Sequence, residues 1–558
     1  MKRKFFTLLL LIICSIYSIA QQINVTGTVL DEYGLPVPGA NVLIKGTTTG
    51  TSTNANGHFS INVTDESSII IVQFLGYLSE EVMVGDQRSF SITLVPDITE
   101  LEDVVVIGYG TMLRKNVSTA IAKVDPTDVP QAANPSVSDL LFGRAAGLQV
   151  TQQSAQPGGQ IDMSIRGRGN PLIVVDGVVM PNNALEAGIN FSEINNVRRG
   201  SLAGLNPNDI ESIEVLKDGS ASIYGVEASN GVILITTKRG RKGDLSVSYN
   251  ASRSFQQNLP YLTPLNAEEY MTYYNRLSQD RHLAQNDMQP FGPNAPANVP
   301  EPFTAQQIAN AGIGTNWVDE ILRDGSIDNH SLSVSGGSDR TTYYFSGNFF
   351  NQVGTVKNSD MQRFNGRMDL SFNVTNWLTL NTGLTGNRNN YNNTVAGWQT
   401  GGGGANSFTA LQAAIAYPSY LPIRDPDTGE YTHFAMTGNP VAQLDIRDRT
   451  EYNSLLTNVS MDVSIIPEVL SGRILYGNNS ENSFRDFYIP STTNWFDDYR
   501  ARGSLQLAKR QYQTMEAYLT FNKQVNEFIY TNMVAGFGEY IYDDNGFGVQ
   551  AQDMHDAI

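Results

Sequence analysis

The sequence predicts a mainly β protein with three successive parts: a small β-sandwich, a compact α/β unit and a long antiparallel series of strands. Residues 22 to about 96 alternate apolar and polar side chains between glycine-containing turns. Residues 134–242 mix short helical and strand patterns. From Asp244 onward the apolar residues recur at every second position, in stretches of about 9–11 residues. This last pattern is typical of strands that cross a membrane.

The first 20 residues have the pattern of a signal peptide. The basic start Lys2–Lys4 precedes the apolar stretch Phe5–Ile16, and Ser18–Ala20 has small residues at alternate positions. Cys14 is the single cysteine of the chain, so disulfides and thiolate metal sites are excluded after cleavage. These features predict an exported bacterial envelope protein.

The composition argues against an enzyme. The five histidines are widely separated, and neither an HExxH sequence nor a phosphate-binding loop is present. We therefore expect no catalytic residue, no metal and no cofactor. The net charge of −18 disfavours nucleic acid and anionic lipid heads as partners.

The amino-terminal part resembles the carboxypeptidase-regulatory-like domain. The resemblance rests on the spacing G-x-V-x-D-x-x-G-x-P-x-P-G-A-N-V, which starts at Gly27. It implies a β-sandwich over residues 21–96, without catalytic content. A linker over residues 97–110 follows, and its β-branched run Val104–Ile107 has two interpretations. It is either an ordinary buried strand or a strand that adds to the sheet edge of a partner.

The α/β unit is predicted over residues 111–242. A short helix is expected at Ser136–Gly143, and Asp176-Gly177 has the composition of a hairpin turn. The segment from about 180 to 208 reads as an irregular insertion. The predicted strands are Ala146–Thr151, Ile161–Arg166, Leu172–Val175, Ile210–Leu216 and Gly231–Lys238.

The third part is predicted as strands joined by short turns and long polar segments. In one strand, Phe364, Met368 and Leu370 alternate with Arg363 and Asn365. About ten or eleven strands are expected from this periodicity. The long polar segments 253–330, 386–412 and 417–450 are expected to be external loops, the first with a helix at Asn266–Leu277. Further predicted strands are Leu245–Ala251, Leu332–Val334, Thr341–Phe350, Leu378–Leu384, Leu455–Ile465, Met515–Phe521 and Ile529–Ile541, and surface turns are predicted at Asp425–Glu430 and Asp543–Gly546.

With these residues in view, the chain resembles a SusC-type TonB-dependent outer-membrane transporter of the Bacteroidetes. The strongest matches are IRGRGNPLIVVDG at Ile165–Gly177 and DIESIEVLKDGSASIYGVEASNGVILITTKRG at Asp209–Gly240. The resemblance implies that residues 111–242 are a plug domain and residues 243–558 a partial transmembrane β-barrel. Because barrels of this family have 22 strands, we expect this barrel to be incomplete, as in an amino-terminal fragment.

The resemblance also implies a location and partners. The protein is expected in the outer membrane, in contact with its lipid, with the amino-terminal domain in the periplasm. Substrate is expected to bind outside under a SusD-like lipoprotein, and TonB, driven through ExbB and ExbD, to pull on the linker strand. The residues that match the TonB-binding segment (the TonB box) are Asp103, Val104, Val105, Val106 and Ile107.

Two further sets of residues are candidates for function. Polar and glycine positions of the plug are expected either to contact the barrel or to form a solvated face: Arg166, Gly167, Arg168, Asp176, Gly177, Glu211, Glu214, Lys217 and Asp218. Aromatic residues in the polar segments are expected either to stack on a substrate or to pack within loops and interfacial girdles: Trp398, Tyr417, Tyr420 and Phe434.

Import of a glycan oligomer or a similar nutrient is the leading functional hypothesis. Uptake of peptides or metal chelates is a second hypothesis of the same class. A surface adhesin is a third, although it would need neither the linker strand nor the plug.

Overall fold

The architecture is taken from a computed structural model of the 558-residue chain. It describes residues 23–554 except 33, 48, 75–76, 96–103, 108–109, 114–120, 130–135, 189–198, 219–220, 222–223, 260–262, 293–294, 297, 395–409, 435–437, 494–499 and 527–528. The predicted signal peptide lies outside the described residues. The chain divides into two compact units: the first comprises the residues up to Val104 and a short segment that starts at Leu113, and the second contains the plug region and the long sheet.

The first unit is a β-sandwich, as predicted. Strands β1, β4 and β7 form one sheet, and β2, β3, β5 and β6 form the other. Alternate residues of β4, Phe59, Ile61 and Val63, point into the core between the sheets, because successive side chains of a strand face opposite sides. The strands are β1 (Ile23–Leu30), β2 (Asn41–Ile44), β3 (Gly50–Ser52), β4 (His58–Val63), β5 (Ile69–Gln73), β6 (Glu80–Met83) and β7 (Ser89–Thr93).

The linker contains a two-stranded sheet. Strand β8 (Val104–Ile107) pairs with β9 (Gly110–Leu113). The β-branched run Val104–Ile107 is therefore extended, as its composition predicts. Asp103 lies outside the described residues.

The plug region is built around a mixed five-stranded sheet with the order β10-β15-β16-β13-β14. Strand β13 runs parallel to β16, and the turn after β13 has Asp176 at φ 49° and Gly177 at φ 88°. Positive φ at both positions is the geometry of a tight hairpin turn, so this prediction is confirmed. The strands are β10 (Ile121–Val124), β11 (Leu148–Gln152), β12 (Ile161–Ile165), β13 (Leu172–Val175), β14 (Val178–Met180), β15 (Ile210–Leu216) and β16 (Val232–Thr237).

Short 3-10 helices complete the plug. The helix predicted at Ser136–Gly143 is a 3-10 helix, Val137–Leu141. It begins after Ser136, whose backbone N–H donates to the Asp139 carboxylate. The others in the described part of the plug are Pro126–Asp128, Ser201–Gly204, Pro207–Asp209 and Val226–Asn230.

The strands that follow the plug form one antiparallel sheet, in which they are ordered as in the chain. Within the described residues, β17 and β25 each pair with a single neighbour, so the sheet is open along those two edges. Its strands are β17 (Gly243–Gln256), β18 (Gly325–Gly337), β19 (Thr341–Val353), β20 (Asp360–Thr375), β21 (Leu378–Asn392), β22 (Arg447–Ile466), β23 (Leu470–Ile489), β24 (Ala501–Asn526) and β25 (Ile529–Met554).

Every strand segment predicted for this region lies within one of these strands, but the predicted number is wrong. The described residues form nine strands, not ten or eleven. Strands β22 to β25 have 20–26 residues, about twice the ~9–11 that cross a membrane, so counting by membrane-length windows gives too many. The connections between the strands are shorter than predicted because the strands are longer. Strand β21 continues to Asn392, and β22 already begins at Arg447.

Two local predictions in this region have opposite outcomes. The predicted turn at Asp543–Gly546 is wrong: Asp543 pairs with Gln511 inside β25, because the ladder continues far beyond the apolar band. The turn at Asp425–Glu430 is confirmed, since the backbone N–H groups of Asp427 and Thr428 donate to the Asp425 carboxylate.

The two faces of the sheet differ in polarity as the alternation predicts. On β20, Arg363, Asn365 and Arg367 are buried on the inner face, whereas Phe364 on the outer face is 45% exposed. A polar interior and an apolar exterior are the arrangement of a transmembrane barrel wall.

The long connections emerge at one end of the sheet and the short ones at the other, an arrangement typical of transmembrane barrels, whose long connections are external. Helix α1 (Ala267–Gln285) confirms the helix predicted from Asn266, whose side chain accepts from the Glu269 N–H. The other helices are α2 (Ala305–Asn310), α3 (Trp317–Ile321) and α4 (Ala410–Ala416). None of the helices in the described part of the chain is both long and apolar enough to span a bilayer.

Candidate functional site: the plug–sheet interface

Asp176, at the hairpin turn of the plug, contacts the inner face of the sheet. Its carboxylate lies 3.4 Å from Nη2 of Arg367 on β20, and both side chains are at most 2% exposed. It also accepts from the backbone N–H of Thr237 at 3.1 Å and from its hydroxyl at 2.5 Å. Burial alone would raise the pKa of Asp176, but Arg367, Arg239 and the Thr237 hydrogen bonds hold this pKa below its ordinary value.

Two other pairs of charged side chains lie at the exposed surface of the plug. Arg166 pairs with Asp218 at 2.7 Å, and Glu211 pairs with Arg241 at 2.5 Å, in each case within the plug and with exposed side chains. Arg168 is also exposed. Such exposed pairs stabilise a fold by about 0–1 kcal/mol.

The remaining candidates are structural positions of the plug. Glu214 is buried on β15. Burial and the neighbouring Arg166 lower the pKa of Lys217. Gly167 has φ 71°, a backbone conformation that favours glycine. A side chain at Gly177 would come within 2.7 Å of Leu475 on the sheet, so the hairpin turn lies against the wall.

A buried ion network joins the plug to the sheet. Arg199 of the plug donates to Glu186 at 3.1 Å, and Glu186 accepts from the hydroxyl of Thr450 on β22 at 2.6 Å. On the sheet side Arg485 binds both carboxylate oxygens of Asp448, at 2.7 and 2.8 Å.

The four charged side chains of this network are almost completely removed from solvent. Their exposed fractions are 0% for Arg485, 1% for Arg199, 2% for Asp448 and 8% for Glu186. Arg485 also approaches Glu186 to 3.9 Å, and Arg199 lies 3.6 Å above the ring of Tyr391. Two cations and two anions therefore balance within one enclosed cluster, which the sequence analysis did not identify.

Further hydrogen bonds connect the plug backbone and side chains to the inner wall. Arg363 donates to the Ala203 carbonyl at 3.0 Å, and Asn365 donates to the Gly204 carbonyl at 2.9 Å. The Tyr344 hydroxyl donates to Asp209 at 2.8 Å. The polar side of β20 predicts that its side chains form hydrogen bonds on the inner face, but nothing in the sequence indicates which plug residues they bind.

Apolar contacts complete the interface. Leu456 of β22 is buried in the hydrophobic core of the plug. A side chain at Gly477 of β23 would come within 2.5 Å of the Val178 side chain. The plug is therefore packed against the wall without space for an additional methyl group at this contact.

The ionisation of Asp139 makes the stability of the plug depend on pH. Burial raises the pKa of its carboxyl to about 6, against the opposing influence of the Ser136 N–H and of Arg363. Because this pKa is higher in the folded than in the unfolded chain, the folded protein loses stability as the pH rises from about 4 to 6. Asp139→Asn keeps an acceptor for the Ser136 N–H, and we expect it to remove this loss and to stabilise the plug by about 3 kcal/mol at pH 7.

The measurement for Asp139 is the unfolding midpoint of wild type and variant between pH 4 and pH 8. The two proteins are expected to match at pH 4 and to diverge above it. Parallel curves over the whole range would contradict the assignment.

The aromatic candidates lie in the outer connections. Tyr417 is buried, packs edge-on against Trp317 at 4.6 Å and donates to the Thr432 carbonyl at 2.6 Å. Phe434 packs against the same cluster, and Trp398 lies outside the described residues. Tyr420 is half-buried and belongs to a separate group of rings with Tyr270, Tyr274 and Phe303.

Comparison with known proteins identifies both amino-terminal domains. Residues 25–106 match the family model of the CarboxypepD_reg-like domain, and residues 114–232 match that of the TonB-dependent Receptor Plug Domain. TonB-dependent receptor P3 of Formosa agariphila is 32% identical over 536 residues, which are 94% of this chain and 48% of that protein. TonB-dependent receptor SusC of Bacteroides thetaiotaomicron is 29% identical over 598 residues, covering 99% of this chain and 54% of that protein.

Solved structures show the same fold. The RagAB peptide importer in its open-open state superposes with a TM-score of 0.63 at 20% identity, over 80% of this chain and 50% of that chain. The chain spans about half the length of the curated relatives that it matches.

These relatives are receptors of the outer membrane, which confirms the predicted location and the prediction that the chain is not an enzyme. The similarity extends over nearly the whole chain and includes the amino-terminal sandwich, the plug and the sheet against which the plug packs. The chain is therefore a homologue of the SusC-type TonB-dependent receptors.

Proposed function

We propose that the protein takes part in TonB-dependent import of an oligomeric nutrient across the outer membrane. The observation that carries this proposal is the plug held against the inner wall by buried charges: Asp176 pairs with Arg367, and Glu186 accepts from Thr450 and lies 3.9 Å from Arg485. Such an arrangement blocks passage while intact and needs work to open, because separating buried charges without replacement partners is costly.

The energy for opening is proposed to enter through the linker. TonB would pair with the strand Val104–Ile107 and pull, and backbone hydrogen bonds along a strand share a load between them. The proposed TonB box includes Asp103. ExbB and ExbD would supply the proton-driven force, as the family resemblance implies.

A proline substitution tests this coupling. Val105→Pro removes a backbone N–H and disfavours an extended ladder, so we expect it to abolish uptake while substrate binding at the cell surface is kept. Val105→Thr, which keeps a β-branched residue, is the matched control and should transport normally. Uptake of radiolabelled substrate and binding at 4 °C are measured on the same cells, and wild-type uptake by the proline variant would refute the coupling.

A glycan oligomer is the proposed substrate. The supporting observation is a group of partly exposed aromatic rings on the long connections. The ring centroids of Phe303 and Tyr420 are 5.0 Å apart, and those of Tyr270 and Tyr420 are 5.8 Å apart. Aromatic rings offer flat apolar faces with polar hydroxyl groups at the edge. A SusD-like lipoprotein is proposed to cover this side.

Peptide uptake is the second candidate, since the structurally similar RagAB is a peptide importer. Neighbouring genes for a SusD-like lipoprotein and for glycosidases would favour glycans, whereas neighbouring protease genes would favour peptides.

A further inference from the structure

Three glycines form a groove on the outer face of the sheet. Gly347 of β19 pairs with Gly366 of β20, which in turn pairs with Gly386 of β21. A side chain at Gly347 or Gly366 would meet no atom within 4 Å. The row spans about 10 Å from the first to the last glycine, because neighbouring strands are about 4.8 Å apart.

Side chains of the adjacent row form one wall of this groove. His330 stacks on Phe349 with ring centroids 6.5 Å apart, and Phe349 lies 5.1 Å from Phe364. Tyr249 lies at the end of the glycine row, in register with Leu332 and Gly347, and is hydrogen-bonded to His330 at 2.8 Å. The groove that these residues and the glycines line has a volume of about 720 Å³.

The groove faces away from the plug. Asn365, the neighbour of Gly366, points inward and donates to the plug carbonyl of Gly204, so Gly366 itself points outward. The groove therefore opens toward the membrane, where the outer surface of the wall meets lipid.

The level of the groove in the membrane follows from the outward-facing rows of side chains on either side of it. The next outward row toward the short turns is apolar, with Phe345, Met368 and Leu384 in register. The second row toward the long connections is polar, with Asn351, Gln362 and Asn390 in register. The groove thus lies at the extracellular edge of the apolar band, beside an aromatic girdle, at the level of the outer leaflet.

Basic side chains stand above the groove. Arg388, in register with Phe364, pairs with Glu451 at 2.6 Å, and Arg449 is exposed on the same face. Arg447 pairs with Asp486 at 3.0 Å. Although the whole chain has a net charge of −18, this patch contains three arginines and two acids.

We propose that this groove binds an anionic, phosphate-bearing lipid of the outer leaflet. One acyl chain lies along Gly347, Gly366 and Gly386, and the phosphate contacts Arg388 and Arg449. Strands of such walls are tilted by about 35–45°, so a groove that crosses them runs obliquely through the leaflet and can follow an acyl chain. Arginine suits the phosphate because its planar guanidinium matches phosphate oxygens.

The test uses spin-labelled lipids and the full chain reconstituted in phosphatidylcholine bilayers. Wild type is expected to immobilise labelled phosphatidic acid in preference to labelled phosphatidylcholine. Gly366→Leu fills the groove and should remove about one immobilised lipid per chain. Arg449→Gln should reduce the preference for phosphatidic acid about fivefold.

Matched controls separate the groove from a general surface effect. Thr382→Leu adds the same side chain to the outer face of β21 beyond the groove, and Arg281→Gln removes an exposed arginine from helix α1; both should behave like wild type. Folding of each variant is checked by its heat-dependent gel mobility, and Gly347→Leu replaces Gly366→Leu if that variant fails to fold.

Two results would overturn the proposal. In the first, a folded groove variant immobilises as much lipid as wild type, or Thr382→Leu loses as much as Gly366→Leu. In the second, mass measurement shows that the groove binds a second copy of the chain, and that filling it only separates the two copies.

Discussion

Replacing Arg199 with methionine is expected to destabilise the plug against the sheet by about 3–5 kcal/mol. Arg199 is 1% exposed, and its partner Glu186 is 8% exposed. Without Arg199, Glu186 keeps the Thr450 hydroxyl and the more distant Arg485, but the enclosed cluster gains an excess negative charge. A buried charge that loses its partner costs far more than an exposed one, because water cannot replace the lost interaction.

Hydrogen exchange of the plug strands and thermal unfolding measure this effect. Arg241→Met is the matched control, since Arg241 pairs with Glu211 at the exposed surface and its loss should cost no more than about 1 kcal/mol. Equal losses in the two variants would show that the enclosed cluster does not hold the plug.

Asp176→Ala is expected to have a similarly large effect, about 3–5 kcal/mol, at pH 7. The substitution leaves the Arg367 guanidinium, 2% exposed, without its plug partner, and it removes both Thr237 hydrogen bonds. Asp176→Asn preserves the turn, because asparagine tolerates positive φ. This variant therefore measures the effect of losing the charge alone, without a change in the backbone.

The pH dependence of Asp176 gives a second measurement. Its pKa in the folded chain is below the ordinary value, so the charge stabilises the plug above about pH 4, and the contribution is lost as the pH falls through the lowered pKa. Urea unfolding of the plug between pH 2 and pH 7 should show this acid loss in wild type and not in Asp176→Asn. The exposed Asp218→Asn is the control, and an acid loss of unchanged size in Asp176→Asn would contradict the assignment.

The strands and the polarity of their faces could be predicted from the sequence because both depend on local alternation. The series from Arg363 to Val374 predicted β20 with its buried polar side and its outward Phe364. The hairpin at Asp176-Gly177 was equally predictable, since few residues adopt positive φ at two successive positions.

The contacts between plug and wall could not be predicted in the same way. Arg199 and Glu186 lie in a segment without periodicity, and they are far in sequence from Asp448 and Arg485. The lengths of the strands were also missed, because a ladder of backbone hydrogen bonds continues above the membrane without the apolar residues that mark its crossing. Asp543 in β25 is the clearest case.

The attachment of the plug to the wall limits how the plug can move. Strand β16 ends at Thr237 and β17 begins at Gly243, and a side chain at Gly240 in the intervening link would come within 2.3 Å of the Tyr343 backbone. The segment between Thr237 and Gly243 spans about 20 Å when fully extended, so the central strand β16 stays near the start of β17. Strand β10 instead lies at the sheet edge and pairs only with β15 among the described strands. Under the proposed coupling, a pull on the linker would peel the plug sheet from that edge and open a passage without expelling the whole domain.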